Sequence, residues 1–145
     1  MTRTTTAQPR STGYPGYTQT GDRAPQTAEE GRKLTRVALA AWGLVDDAET
    51  AALVMSELVA NAVRHARGPK IRMTVNRPAD DRVYVAVVDR EPRWLPELRT
   101  PAADALQGRG LLLVDAVAAR WGYDFMGTGV HPWGKRVWAE LQVTP

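Results

Sequence analysis

The stretch Ser56-Glu-Leu-Val-Ala-Asn-Ala-Val-Arg-His-Ala66 places a polar stripe on an otherwise apolar helix. Glu57, Asn61 and His65 recur every four residues, and each such step advances only about 40° around a helix axis, so the three side chains share one face. A carboxylate and an amide one turn apart can offer oxygen to a hard cation such as Mg²⁺, or Glu57 can act as a general base. The alternative interpretation is the solvated face of an amphipathic helix.

This helix is the second of two that the spacing of apolar residues predicts before residue 67. The first helix begins at Thr27, because Thr27 and Glu30 match a capping box, and it ends at Gly43. The second begins at Asp46-Asp47, whose carboxylates suit a helix N-terminus, and it continues to about Ala66.

Beyond Gly68 the apolar residues alternate with polar ones, which predicts two strands, 71–76 and 83–89, paired as an antiparallel hairpin. Residues 90–108 contain three prolines and no clean period. A loop of that length inside a compact domain is usually functional, and lids are a common case.

A third helix and a second hairpin complete the pattern. The helix follows Gly108-Arg-Gly110 and runs to about Arg120, and the hairpin joins residues 121–125 to residues 136–143. Strands that are neighbours in sequence pair antiparallel, so this order of elements indicates an α+β fold, with one sheet carrying its helices on one face.

Two further features carry chemistry. Asp89 closes an apolar strand, where it can accept a hydrogen bond from the exocyclic amine of a nucleotide base, although aspartates at strand ends are also common in plain turns. The sequence Gly108-Arg109-Gly110-Leu111 opens a helix, whose first backbone amides can bind an anion such as phosphate. A flexible hinge is the alternative for this second feature.

Taken together, these motifs resemble the Bergerat ATP-binding fold, an α/β sandwich with a mixed or antiparallel sheet. Residues 56–66 resemble the N box of the anti-sigma-factor serine kinases, and residues 108–115 resemble their second glycine box. Gly134-Lys-Arg-Val-Trp138 resembles the final strand of that family. The likeness covers roughly residues 27–143 and is strongest with short actinobacterial ATP-binding regulators.

The resemblance implies a role for each matching residue. Asn61 would coordinate the Mg²⁺ that bridges the phosphates of ATP, Glu57 would be the base that activates an acceptor serine, and Asp89 would accept from the adenine amino group. Residues 90–107 would form the ATP lid. The remaining contacts to phosphate or ribose would come from His65, Gly108, Arg109, Gly110 and Leu111.

The resemblance also sets two functions side by side. The first is an ATP-binding regulatory serine/threonine kinase whose partners are a sigma factor or an anti-sigma antagonist, with homodimers common among relatives. The second is a non-catalytic binding module, because the first glycine box, usually Asp-x-Gly-x-Gly, is Asp89-Arg-Glu-Pro-Arg93 here. In addition, Arg136 stands where the family often has a threonine that helps the aspartate hold adenine.

Composition excludes several other classes. The chain has 145 residues, no Cys and two His, so disulfides, Cys-zinc sites and His-rich metal sites are excluded. Residues 1–26 contain almost no aliphatic side chain and are predicted to be a disordered tail before a domain of residues 27–145.

Three arginines and one aspartate in that tail account for +2 of the net charge of +3, which disfavours a nucleic-acid interface on the domain. Without a signal peptide or a membrane segment, we expect a cytoplasmic protein.

Overall fold

The described part of the chain contains three α-helices and five β-strands. The structure is a computed structural model that describes residues 13–93, 95–96, 109–127 and 130–145. The helices are α1 (Thr27–Ala41), α2 (Ala48–His65) and α3 (Arg109–Val117), and a short 3-10 turn, Val45–Asp47, precedes α2. The strands are β1 (Tyr17–Asp22), β2 (Lys70–Ala79), β3 (Arg82–Asp89), β4 (Arg120–Met126) and β5 (Gly134–Gln142).

These strands form one antiparallel sheet in the order β1-β2-β3-β5-β4. The predicted hairpins β2–β3 and β4–β5 are confirmed. β5 lies between β3 and β4, and its register with β3 places Lys135 directly opposite Asp89. Directly opposed residues in a ladder project from the same face of the sheet, so these two side chains are neighbours.

The three helices lie against one face of the sheet, which confirms the α+β fold. Along β3, Val83, Val85 and Val87 face the helices and are at most 1% exposed. The core also takes in large apolar side chains from all three helices: Leu39, Met55, Leu58 and Val114. Each such side chain contributes about 1.5–3 kcal/mol when it is fully buried. Because alternate residues of a strand lie on opposite faces of the sheet, the helices pack on the face that carries these apolar side chains.

The prediction of a disordered tail over residues 1–26 is wrong for its C-terminal part. Residues 17–22 form β1, which pairs with β2 so that Tyr17 lies opposite Val75 and Asp22 opposite Lys70. The strand consists of polar and aromatic residues, and Thr and Tyr favour extended backbone on a half-buried edge even without aliphatic neighbours. Residues 1–12 lie outside the described residues.

The predicted capping box at the start of α1 is also wrong, although the helix does begin at Thr27. Gln26 is the N-cap and makes no side-chain capping bond. The Thr27 hydroxyl donates instead to the carbonyl oxygen of Asp22 (2.6 Å), and a Glu30 carboxylate oxygen accepts from the Gln19 amide (3.2 Å). Both side chains therefore bind β1 to α1, because the strand occupies the space beside the helix terminus.

A cluster around Arg77 holds the segment before β1 against the end of α1. The Arg77 guanidinium donates to the carbonyl oxygens of Trp42 (3.2 Å) and Asp80 (2.8 Å), and it lies 4.1 Å from the ring centroid of Tyr14. The Tyr14 hydroxyl donates to the Asp80 carboxylate (2.5 Å), and Trp42 Nε1 donates to the carbonyl oxygen of Pro15 (3.2 Å). Residues 14–22 are therefore an integral part of the domain.

Deleting residues 1–22 should lower the free energy of unfolding by roughly 2–4 kcal/mol, because it removes the β1 ladder, the Tyr14 ring over Arg77 and the Pro15 carbonyl that accepts from Trp42 Nε1. Deleting residues 1–12 is the matched control and should leave stability within about 0.5 kcal/mol of the full chain. Urea denaturation followed by tryptophan fluorescence measures both. Equal midpoints for the two deletions would contradict the structural role of β1.

Candidate functional site

A cleft lies between the C-terminal half of α2 and the adjacent ends of β3 and β5. About 230 Å³ of space there is not filled by protein atoms, a figure that includes open solvent, and the cleft is narrow. Its lining mixes apolar side chains with one amide and one carboxylate: Leu58, Asn61, Ala62, Val87, Asp89, Pro96 and Val137. A mostly apolar cleft with a few polar groups that converge on it is the usual form of a small-molecule site.

Asn61 brings an unsatisfied polar atom to this cleft. The side chain is 7% exposed, and its Oδ1 accepts from Arg64 Nη2 at 2.5 Å. Its Nδ2 has no hydrogen-bond partner among the described residues. Since an orphaned buried donor costs about 1–3 kcal/mol, the site fits a ligand that presents an acceptor there, such as a phosphate oxygen.

Glu57 and His65 lie one turn before and one turn after Asn61 on α2, as the predicted stripe requires. Both side chains are partly exposed, and neither belongs to the lining of the cleft. Within the described ranges, the Glu57 carboxylate has no hydrogen-bond or ion-pair partner. The structure therefore brings Asn61 and Asp89 together, while the roles of Glu57 and His65 stay predictions.

Asp89 is held by a buried ion pair that the sequence analysis missed. Lys135 Nζ lies 2.9 Å from each oxygen of the Asp89 carboxylate and donates as well to the carbonyl oxygen of Glu91 (2.7 Å). The backbone N–H of Glu91 donates to Asp89 Oδ1 (2.8 Å). The lysine side chain is 0% exposed and the aspartate side chain 3%, so the pair is largely shielded from bulk water.

Burial raises the pKa of Asp89 above its ordinary value, because desolvation disfavours the charged carboxylate. The Glu91 N–H and the Lys135 ammonium oppose that rise, and the Glu91 carboxylate adds to it. Ionised Asp89 is therefore less favourable in the folded chain than in the unfolded one. The contribution of the Asp89 titration to stability is fully present below the pKa of the unfolded chain, and it is lost as the pH rises through the higher pKa of the folded chain.

Glu91 occupies the position of the first missing glycine, and its carboxylate pairs with two arginines; the residue is not among those that line the cleft. Its oxygens lie 3.0 Å from Arg67 Nε and 3.2 Å from Arg93 Nε, and one also accepts from the Arg93 backbone N–H (3.0 Å). Hydrogen bonding from Arg93, aided by the charges of Arg93 and Arg67, lowers the pKa of Glu91. At pH values above the pKa that Glu91 has in the unfolded chain, its ionised carboxylate therefore stabilises the fold. That stabilisation is lost as the pH falls through the lower pKa of the folded chain.

The bearing of position 136 on adenine binding stays a prediction. Arg136 lies opposite Val88, on the face of the sheet that turns away from the helices, where its guanidinium reaches Tyr84 and Met126. Lys135 is the residue of this strand that faces Asp89. The sequence contains a signal for this position, because alternate residues of a strand share a face and Lys135 alternates with Val137 and Ala139. Val137 and Ala139 are core residues, so Lys135 faces the core as well.

The second glycine box is described only in part. The predicted third helix is confirmed as α3, which covers residues 109–117 and ends before the predicted end near Arg120, where β4 begins; Leu111 is buried at 5% exposure near its start. Gly108 and the side chain of Arg109 lie outside the described residues, as do most of the predicted lid, residues 90–107. The backbone of Gly110 is helical.

The described residues form no metal cage built from protein ligands alone. In the described ranges no group of three His, Asp or Glu side chains could hold a metal ion. Mg²⁺ that accompanies a nucleotide needs few protein ligands, because phosphate oxygens and waters fill most of its octahedron. Asn61 Oδ1, which keeps a second lone pair beside its bond from Arg64, fits that requirement.

Comparison with models of known protein families shows to which family the domain belongs. Residues 22–132 match the model of the histidine kinase-like ATPase domain. The chain belongs to the histidine kinase-like ATPase family. Membership confirms the Bergerat-type fold and implies that this ATPase-like domain binds ATP. No curated protein matches the chain significantly. Of its described helices, none has the length and apolar character that crossing a membrane demands.

Gly134→Ala should disrupt the base of the cleft, because a Cβ there would lie 2.2 Å from the carbonyl oxygen of Asp89 and the two strand ends would have to separate. We expect a loss of roughly 2–4 kcal/mol in the free energy of unfolding. Gly122→Ala on β4 is the control, because its Cβ would meet the partly exposed Trp138 ring at 3.1 Å, which can shift. Thermal and urea denaturation compare the two variants, and equal losses would contradict the close approach at Gly134.

Proposed function

We propose that this domain is a regulatory serine/threonine protein kinase of the anti-sigma-factor type, which binds Mg-ATP and transfers a phosphoryl group to a protein partner. The observation that carries the proposal is the buried Asn61 amide, whose Nδ2 lacks a partner within the described chain although it shares a cleft with Asp89. A nucleotide can serve both groups at once, with its base at Asp89 and its phosphates toward Asn61.

The two ends of the cleft suit the two ends of ATP. Asp89 is an acceptor at the end of β3, and the exocyclic amine of adenine is a donor. The backbone N–H groups in the first turn of α3 favour anions, and we expect this turn to serve the other end of the nucleotide. We expect residues 108–111 to hold the phosphates through these amides, with His65 and Arg109 nearby.

Glu57 is the group that we assign to catalysis. Its carboxylate is uncommitted among the described residues and lies one turn from Asn61, so one helix addresses both the metal and the attacking hydroxyl. A general base must reach the proton that it accepts and must not be consumed by a structural partner. Phosphoryl transfer otherwise needs positioning and charge neutralisation, which Mg²⁺ supplies when it is bound.

The partner follows from the resemblance of residues 56–66 and 108–115 to the anti-sigma-factor kinases. We propose a sigma factor or an anti-sigma antagonist as that partner, a cytoplasmic location, and a homodimer as the working assembly. Incubation of the purified chain with labelled ATP and candidate antagonist proteins tests the assignment, because transfer to a serine of one candidate supports it and transfer to none contradicts it.

A second candidate, the non-catalytic binding module, has its own supporting observation. The Asp89 carboxylate is already paired with Lys135, and Glu91 replaces a glycine that would let backbone lie against the base. A site whose polar groups satisfy one another is stable without a ligand. If the wild-type chain binds no Mg-ATP at millimolar concentration, this second function replaces the first.

Asn61→Ala should weaken Mg-ATP binding by at least about tenfold, because the amide supports the ground state of the complex through metal and phosphate. Isothermal titration calorimetry measures the dissociation constant. Asn76→Ala is the control: it removes a buried asparagine of β2, at 5% exposure, that does not line the cleft. Unchanged affinity in Asn61→Ala would remove Asn61 from the binding site.

Glu57→Gln should leave Mg-ATP affinity within about threefold and reduce the rate of phosphoryl transfer by about 10²–10⁴-fold, since a base acts on the attacking hydroxyl and not on the bound nucleotide. Glu49→Gln, on the first turn of α2, is the matched control, because Glu49 pairs with Arg36 far from the cleft. A single-turnover assay with the accepting partner measures the rates. Transfer by Glu57→Gln at the wild-type rate would show that Glu57 is not the base.

A further inference from the structure

The Asp89 carboxylate leaves one acceptor position for a ligand. Each carboxylate oxygen offers two lone pairs. Oδ1 accepts from the Glu91 backbone N–H (2.8 Å) and from Lys135 Nζ (2.9 Å), and Oδ2 accepts from Lys135 Nζ (2.9 Å). No other described residue donates to this carboxylate, so a single lone pair remains, on Oδ2.

Lys135 holds this arrangement rigidly. Its side chain is fully buried, and its Nζ reaches three acceptors, the two Asp89 oxygens and the Glu91 carbonyl oxygen (2.7 Å), which matches the three N–H donors of an ammonium group. The β3–β5 register places the lysine opposite the aspartate, and the absence of a side chain at Gly134 allows the two strand ends to meet.

We propose that Lys135 is the positioning residue for base selection. By occupying lone pairs on both oxygens, it restricts Asp89 to one acceptor, which suits the exocyclic amine of adenine and blocks the two-point contact that guanine would make. This inference rests on the proposed function, since it requires a purine nucleotide in the cleft.

The donor patterns of the two bases explain the selection. Guanine presents two adjacent donors, N1–H and the N2 amino group, and a carboxylate with both oxygens open can accept from both at once. Adenine presents only its N6 amino group as a donor, beside the N1 acceptor. One lone pair accepts the N6–H of adenine that faces the carboxylate, whereas guanine would keep one of its two adjacent donors there without a partner.

The test compares ATP and GTP affinities of the wild-type chain and Lys135→Met by calorimetry in the presence of Mg²⁺. We expect the wild type to prefer ATP and the variant to shift the GTP-to-ATP affinity ratio toward GTP by about tenfold or more. Arg82→Met is the matched control, because it removes a cation from the same sheet whose partner, Glu140, lies on the opposite face. Its affinity ratio should equal that of the wild type.

Removal of a buried cation can also unfold the chain, so a second variant accompanies the first. Lys135→Gln removes the charge but keeps an amide donor, and it should shift the ratio in the same direction by a smaller factor. Near-ultraviolet circular dichroism of the tryptophans verifies the fold of each variant. An unchanged ratio in a folded Lys135→Met or Lys135→Gln would overturn the selection role.

A measurement on the free protein separates this inference from the proposed function. The Glu91 backbone amide donates to Asp89 Oδ1, so its hydrogen exchange reports whether the carboxylate is fixed. We expect Lys135→Met to accelerate that exchange by about tenfold or more, while Arg82→Met leaves it unchanged. Undiminished protection in Lys135→Met would overturn the positioning role. If the wild type binds neither nucleotide, the proposed function fails, and base selection fails with it.

Discussion

The buried contact between Lys135 and Asp89 joins the two central strands at the end of the sheet where the cleft opens. An ammonium and a carboxylate removed from water each lose several kcal/mol of hydration, and their attraction compensates only when the remaining donors and acceptors are also satisfied. Here the Glu91 backbone supplies both missing partners, its carbonyl to Lys135 and its N–H to Asp89. The segment after β3 is therefore held in place by the same pair that defines the floor of the site.

The two partners of that pair are 46 residues apart in the sequence, so the pair depends on the geometry of the two strands that carry them. The period of two places Asp89 on the same face as Val87 and places Lys135 on the same face as Val137, and the antiparallel register then sets the charges opposite one another. Gly134 is required because any Cβ would collide with the backbone of Asp89. Packing of Val87 and Val137 in the core thus determines where the charges of Asp89 and Lys135 lie in the cleft.

The sequence predicted the elements whose hydrophobic period is long and regular, and it failed where tertiary contact overrides local pattern. The helices, the two hairpins and the α2 stripe followed from spacing alone. β1 escaped because an edge strand of Tyr, Thr and Gln has no aliphatic alternation, and the Thr27 capping box failed because the hydroxyl found a strand carbonyl. Asp89 was predicted as an acceptor, but its partner was not: the alternation along β5 places Lys135 on the core face, and only the sheet register sets it opposite Asp89.

The two polar ends of the cleft differ in how far the protein satisfies them. At Asp89, the described donors occupy three of the four carboxylate lone pairs, so a ligand would gain one hydrogen bond there. At Asn61, Nδ2 has no partner among the described residues, and the Arg64 guanidinium beside it is largely exposed. Satisfying a buried orphan recovers more free energy than adding one bond to an already paired carboxylate. If a nucleotide binds as proposed, its anionic end should therefore supply most of the affinity, and its base should supply most of the discrimination.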